Sequence, residues 1–388
     1  MNQTILNDGW TAAWGNAISI ATRRPANYAR DLTLRYPVTM LLSGDAVRIT
    51  LDNFCGTQPV TVTKAACARA VSGMETDAQS MLPVTFDGSR SVTIPAGSRV
   101  TSDPVPMAVM RGQRIAVSLY FADFTELRSA VNITGPLSEG YFAVGDHAES
   151  AQLPGDLYNS TNWFYFLSGV DVHTRRPARC TVCYGDSITA QAWPGYLMQR
   201  ALSEGSPDVS VIRKAASGTR ILRQYDNIVY DSYGLRGEVR FPHEFPVAGA
   251  DAVIIQHGIN DIIHPVGVEV NRFRPWSDLP TAQEMIDGLR RYIEQSHQLG
   301  MRVYLGTLLP IEGWRTYADF RDALRCEVNE WMRTTTEAEG CIDFDKAVRD
   351  PSHPARFAPG FDSGDHLHPS LKAYERMAQE VPAKLLKK

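Results

Sequence analysis

Long apolar runs are missing from this chain. No stretch approaches the roughly 18 uninterrupted apolar residues that a membrane-spanning helix requires, so no transmembrane segment is expected. Cysteine is scarce, with six in 388 residues. That excludes a disulfide-dense scaffold and suits a reducing compartment or plain core packing. Cys180-x-x-Cys183 has no second pair beside it, whereas a structural zinc site takes four ligands; we read it as two small apolar side chains on a strand. An excess of positive charge is missing too. Lys and Arg number 39 against 43 Asp and Glu, for a formal net charge of −4, and the basic residues are scattered. Nucleic-acid binding by phosphate neutralisation therefore falls as a function class. The opening MNQTILNDGW has neither a basic n-region nor an apolar h-region. As written, the expected location is cytoplasmic, or secreted if a leader has been removed.

What is present is ordinary globular material, 44% hydrophobic and 21% charged, in a length that predicts two or three domains. Up to about residue 170 the texture is β. Asp31–Met40, Ala46–Phe54, Pro59–Thr63, Ser91–Pro95 and Arg114–Phe121 alternate apolar with polar residues or are rich in β-branched ones, with Gly, Asp, Asn and Ser between them. No convincing amphipathic helix interrupts the run, which predicts a sandwich or jelly roll. The stretch His173–Pro177 reads as a crossing point, giving an N-terminal β domain over 1–172 and a second domain over 178–388.

Beyond it, strands alternate with helices. Thr181–Tyr184, Val209–Ile212, Ala252–Ile255, Val303–Leu308 and Ile342–Phe344 read as strands. A helix is expected near Pro194, another opens at the capping box Thr281-Ala-Gln-Glu284, a third runs from Tyr317 and closes at Gly340, and Ser370 caps the last. This order predicts a flavodoxin-like α/β/α domain around a parallel sheet.

In such sheets ligands bind beyond the carboxyl ends of the strands, so the residues that follow each strand matter most. They are Gly185-Asp186-Ser187-Ile188-Thr189, Ser217-Gly218-Thr219, Gly258-Ile259-Asn260-Asp261 and, before the last helix, Asp365-His366-Leu367-His368-Pro369. Together they supply a hydroxyl, small-residue backbone, a carboxamide, a carboxylate and an imidazole, which is what acyl transfer needs. A serine hydroxyl is a poor nucleophile unless a base takes its proton. His368 can do so, and Asp365, three residues earlier, can fix its tautomer. The N–H groups of Ser187 and Gly218 and the amide of Asn260 can stabilise an oxyanion. No Gly-x-Ser-x-Gly elbow is present. This chemistry needs no metal and no organic cofactor.

These four ordered blocks resemble those of the SGNH (GDSL-like) hydrolases, over roughly residues 178–385. The N-terminal half, with WTAAW, VRITLDNF and FLSGVDV, resembles the β-sandwich domain that precedes the catalytic domain in one branch of that superfamily. The resemblance implies Ser187 as nucleophile, Gly218 and Asn260 as oxyanion donors, and Asp365 with His368 completing a triad. It also implies ester hydrolysis, with O-acetylated carbohydrate as the first substrate class; a lipid-type or lysophospholipid ester or a thioester stands second. An acyltransferase with the same triad, and a glycan-binding protein with a degenerate hydrolase domain, are the rivals. Block two departs from the branch: it reads Arg213-Lys-Ala-Ala-Ser-Gly218 where relatives often have Asn-Ala-Gly-Ile-Ser-Gly, although the glycine is kept.

Neighbouring residues have plainer readings. Asp186 is expected to hold the turn and favour the following helix, Asp261 to scaffold the Asn260 loop, and Asp362 to be a loop residue. His366 is a weaker base candidate than His368. His257 and His264 read as packing or pocket-rim residues, with substrate contact as the minority view. Aromatics of Tyr225–Phe245 and Phe273–Trp276 could stack on a substrate or simply pack. His257, Trp193 and Trp276 are the candidate substrate-binding side chains.

Overall fold

A computed structural model describes residues 9–20, 28–155, 159–224, 234–264 and 276–387. Tyr225, Tyr230, Tyr233 and Phe273, expected as possible pocket aromatics, lie outside the described residues.

The N-terminal half is all β. Its principal strands are β1 (Trp10–Gly15), β2 (Leu32–Thr39), β3 (Ala46–Asp52), β4 (Lys64–Ser72), β5 (Arg99–Thr101), β6 (Arg114–Phe121), β7 (Gly140–Val144) and β8 (Leu167–His173). One sheet runs β1-β8-β3-β5, and a second runs β7-β2-β6-β4 with short strands at its margins; all pairings are antiparallel. Alternation along each strand fills the space between the sheets. Leu34, Tyr36 and Val38 of β2 meet Val47, Ile49 and Leu51 of β3, and Ile115, Val117 and Leu119 of β6 complete the same core. The intervening side chains of β3, Arg48 and Thr50, point the other way and are only partly buried.

The second half carries a five-stranded parallel sheet, from β9 (Arg179–Gly185), β10 (Val209–Ala215), β11 (Ala250–Gln256), β12 (Arg302–Gly306) and β13 (Gly340–Ile342). Its order is β10-β9-β11-β12-β13. The chain steps to one side of β9 and then continues on the other, the flavodoxin-like winding whose switch point lies at the carboxyl ends of β9 and β11. The helices are α1 (Ser187–Ala190), α2 (Trp193–Glu204), α3 (Gly237–Glu244), α4 (Ile259–Ile263), α5 (Ala282–Gln298), α6 (Asp319–Thr334), α7 (Phe344–Val348) and α8 (Leu371–Glu380). α2 and α7 pack against α8, while α5 packs against α3 and α6. No described helix is long and apolar enough to cross a membrane.

One expectation needs correction, and two elements carry no prediction. The third predicted helix does not reach Gly340: α6 stops at Thr334, and Gly340 starts β13. Helix α3 was not anticipated, because Pro242 interrupts its pattern. β4, with the sequence KAACARAVS, carries no strand signal of its own; pairing with β6 imposes extended backbone on an alanine-rich segment.

The two halves meet along β10. As an edge strand it would offer unpaired backbone to solvent, yet all seven of its residues are buried. β1 lies against it: Ser210 Oγ donates to Ala12 O at 2.5 Å, and Ala12 N donates to Ala248 O at 2.9 Å. The Lys214 ammonium donates to Asn16 O (2.7 Å) and Ser168 O (3.0 Å). Arg213 donates to Ala190 O at 2.8 Å and to Thr134 O at 3.4 Å, tying α1 to the sandwich.

Candidate active site

The register of the parallel sheet brings three of the four sequence blocks to one level. Gly185 pairs with Ala215 on one side and with Gln256 on the other, so the residues following all three emerge side by side. Only glycine fits at 185, since a Cβ there would lie 2.2 Å from Gln256 O. The turn residues Gly218 (φ 76°) and Gly258 (φ 127°) both sit at positive φ, where a side chain is strained.

Ser187 opens α1, so its N–H has no acceptor within the helix. Asp186 caps that helix, accepting from Ile188 N at 3.1 Å. The fourth block comes from the loop before α8. There His368 Nε2 lies 3.0 Å from Ser187 Oγ, and His368 Nδ1 lies 2.6 Å from Asp365 Oδ2. Asp365 Oδ1 also accepts from the N–H groups of Leu367 (3.0 Å) and His368 (2.8 Å). Partial burial opposes its charge, but the His368 ring and these two N–H groups hold the carboxyl well below the usual carboxylate range. An ionised Asp365 accepts the Nδ1 proton and leaves Nε2 as the acceptor facing the hydroxyl.

Asn260 is 2% exposed and donates one amide hydrogen to Thr219 O at 3.1 Å, which ties the third block to the second. Asp261 does not act on the Asn260 loop alone. Its two oxygens accept from Ile221 N (2.7 Å) and Leu222 N (3.1 Å), anchoring the segment after block two. Burial pushes its carboxyl up to about 6 against the pull of Arg220 and these N–H groups. Asp362 and His366 form a separate pair at 2.5 Å, so neither competes for the partners of His368.

Two of the candidate substrate-binding side chains, His257 and Trp193, are buried, as the packing reading of His257 expects. His257 is fully buried, with Nε2 at 3.1 Å from Thr219 O and Nδ1 at 3.1 Å from the Tyr292 hydroxyl. Burial, helped by Arg240, pulls it down to about 3 and keeps the ring neutral. It stitches blocks two and three together from behind. Trp193 is likewise fully buried, its indole N–H reaching Thr189 Oγ1 at 3.3 Å. His264 is buried against Trp314, and Phe241 is core. Trp276 is 66% exposed and leans edge-on against Phe320.

One residue that matters to the site escaped the sequence reading. Arg240 of α3 is completely buried behind the blocks. It donates to Gly185 O (3.1 Å), Thr219 Oγ1 (2.7 Å) and Lys214 O (3.4 Å), and pairs with Glu244 at 2.9 Å. It thereby braces the strand ends that carry Ser187 and Gly218. An Arg and a Glu four residues apart, flanked by Phe241 and Phe245, were the available signal.

Asp186 is the most perturbed acid near Ser187. Burial pushes it from 3.8 up to about 7, against the Ile188 N–H, the His368 charge, the Gly258 N–H and Arg240. A carboxyl raised in this way contributes stability that is complete below its unfolded value and is lost as pH rises through about 7. Urea unfolding across that window should show the loss, up to about 1.4 kcal/mol per pH unit from this group. Asp186→Asn should flatten the slope; an unchanged slope would mean that the group is already ionised.

The model of the GDSL-like lipase/acylhydrolase family matches residues 183–376. No curated protein matches the chain. Among solved structures, a GDSL-like lipase from Bacteroides thetaiotaomicron is 15% identical, with a TM-score of 0.39 over 53% of this chain and 87% of its own. The acetylxylan esterase Axe2 from Geobacillus stearothermophilus is 18% identical, with a TM-score of 0.39 over 52% of this chain and 91% of its own. The family match spans half of the chain and takes in all four blocks that converge at the sheet edge, so this protein belongs to the GDSL-like lipase/acylhydrolase family, a family of hydrolases.

Proposed function

We propose that this protein is a serine esterase, with its catalytic domain over 178–388 and a β-sandwich domain over 1–172. The observation that carries the mechanism is the linear arrangement Ser187–His368–Asp365, with contacts of 3.0 and 2.6 Å. Ser187 Oγ attacks the ester carbonyl while His368 Nε2 takes its proton. The oxyanion is held by the N–H groups of Ser187 and Gly218 and by the second amide hydrogen of Asn260. On collapse the ester C–O bond breaks, and the leaving alcohol takes the proton from His368. Water then gives a proton to the same nitrogen as its oxygen attacks the acyl carbon; the acyl–Oγ bond breaks, Ser187 Oγ takes the proton back from His368, and the carboxylic acid leaves.

Short-chain esters, foremost O-acetylated carbohydrate, are the substrate class we favour, from the family resemblance of the four blocks. The test is hydrolysis of p-nitrophenyl acetate, butyrate and octanoate by the wild type and by Asn260→Ala. Turnover should fall with chain length. Asn260→Ala should lower kcat by on the order of 10² to 10³. Preference for octanoate would move the lipid reading ahead; a loss confined to KM would remove Asn260 from the oxyanion hole.

A further inference from the structure

The two halves do not close completely on each other. Between the outer face of the β1-β8-β3-β5 sheet and β10 lies a cleft of about 170 Å³. The side chains of β3 that alternate with the sandwich core, Arg48 and Thr50, line it. So do Arg99 and Thr101 of β5, Asp171 of β8, and Lys214 of β10. Here hydroxyls and charges line it beside Ile212, Pro246 and Val247.

Most of the charges are already matched. Arg48 pairs with Asp171 at 2.9 Å, and Glu244 with Arg240 at 2.9 Å. Two cations bond instead to neutral oxygens. Arg99 donates to His243 O at 2.8 Å, and Lys214 spends two of its three N–H groups on the Asn16 and Ser168 carbonyls. Cations thus outnumber carboxylates around the cleft, and an anion is the missing complement. A bare anion would leave the rest of the lining unused. Thr50 and Thr101 place hydroxyl oxygens 3.0 Å apart, and the Arg48–Asp171 pair sets a donor beside an acceptor, an arrangement that suits the adjacent hydroxyls of a sugar ring.

We propose that this cleft is a second binding site, distinct from Ser187, that takes one acidic sugar residue of the uronic acid type. Its carboxylate meets Arg99 and Lys214, its hydroxyls meet Thr50, Thr101 and the Arg48–Asp171 pair, and its ring lies by Ile212 and Pro246. The site belongs to the seam between the halves, so it holds a glycan without engaging the ester-cleaving groups.

The probe is D-glucuronate, titrated calorimetrically into the wild-type protein, with D-glucose and acetate in parallel. Glucuronate should bind saturably, and more weakly as salt is raised. Glucose and acetate should each bind at least about tenfold more weakly, since each lacks half of the complement. Arg99→Ala, an exposed position, should weaken glucuronate about tenfold or more while leaving p-nitrophenyl acetate turnover unchanged. Thr101→Val should weaken glucuronate but not acetate. The proposal is overturned if wild type shows no saturable glucuronate binding, if Arg99→Ala binds as wild type does, or if glucose binds as tightly as glucuronate. The readout is binding, so it stands or falls independently of the esterase mechanism.

Discussion

Ser187→Ala should lower kcat on p-nitrophenyl acetate by on the order of 10⁴ to 10⁶ while leaving the urea unfolding midpoint close to that of the wild type. The substitution removes one hydroxyl, 3.0 Å from His368 Nε2, and leaves the cap of α1 in place, because that cap is made by Asp186 on Ile188 N. His368→Ala should cost about as much. The double variant should lose little more than either single one, since a hydroxyl without its base and a base without its hydroxyl are equally idle. Losses that multiply in the double variant would mean that the two groups act separately, and the acyl-enzyme route would fail.

Arg240→Met should destabilise the fold by about 3–5 kcal/mol, because it leaves the Glu244 carboxylate buried without its partner. The Arg240 and Glu244 side chains are 0% and 2% exposed, so water cannot take over the lost bonds. Gly185 O and Thr219 Oγ1 lose a donor in the same step, and turnover should fall along with stability. Adding Glu244→Gln should recover much of the stability, since the stranded charge is then gone, but not the bracing of the strand ends. Chemical denaturation of the wild type, both single variants and the double variant closes the cycle. A single-variant loss below about 1 kcal/mol would contradict a buried pair at this position.

The residues that meet at the sheet edge could be read from the sequence because each block is a short contiguous run beside a strand or helix, and the spacing of Asp365 to His368 is itself local. The strands that carry the blocks declared themselves through unbroken apolar runs, as at Ala252–Ile255. What stayed hidden depends on the third dimension. Arg240, Lys214 and Arg213 make their bonds to carbonyls on distant segments, and no periodicity announces a buried cation. His257 and Trp193 could not be placed for a related reason: a polar aromatic beside one of these blocks can face the cleft or the core, and only the contacts with Tyr292 and Thr189 decide it. Strand β4 was missed because alanine carries no β signal and the strand exists only through its neighbours.

The cover that β1 provides for β10 bears on how this protein could be re-engineered. The catalytic half is not a transplantable module. Cut free at the crossing segment, it would strip Ala215 and Ala216 of the sandwich core they pack into and take from the Lys214 ammonium both carbonyls that receive it. Those residues lead directly into Ser217 and Gly218, so the damage would begin at the turn beside Ser187. Chimeras that exchange one half for a foreign partner would have to carry the Trp10–Ser19 and Ser168 surface with them, and any drift at that seam is constrained from both sides at once.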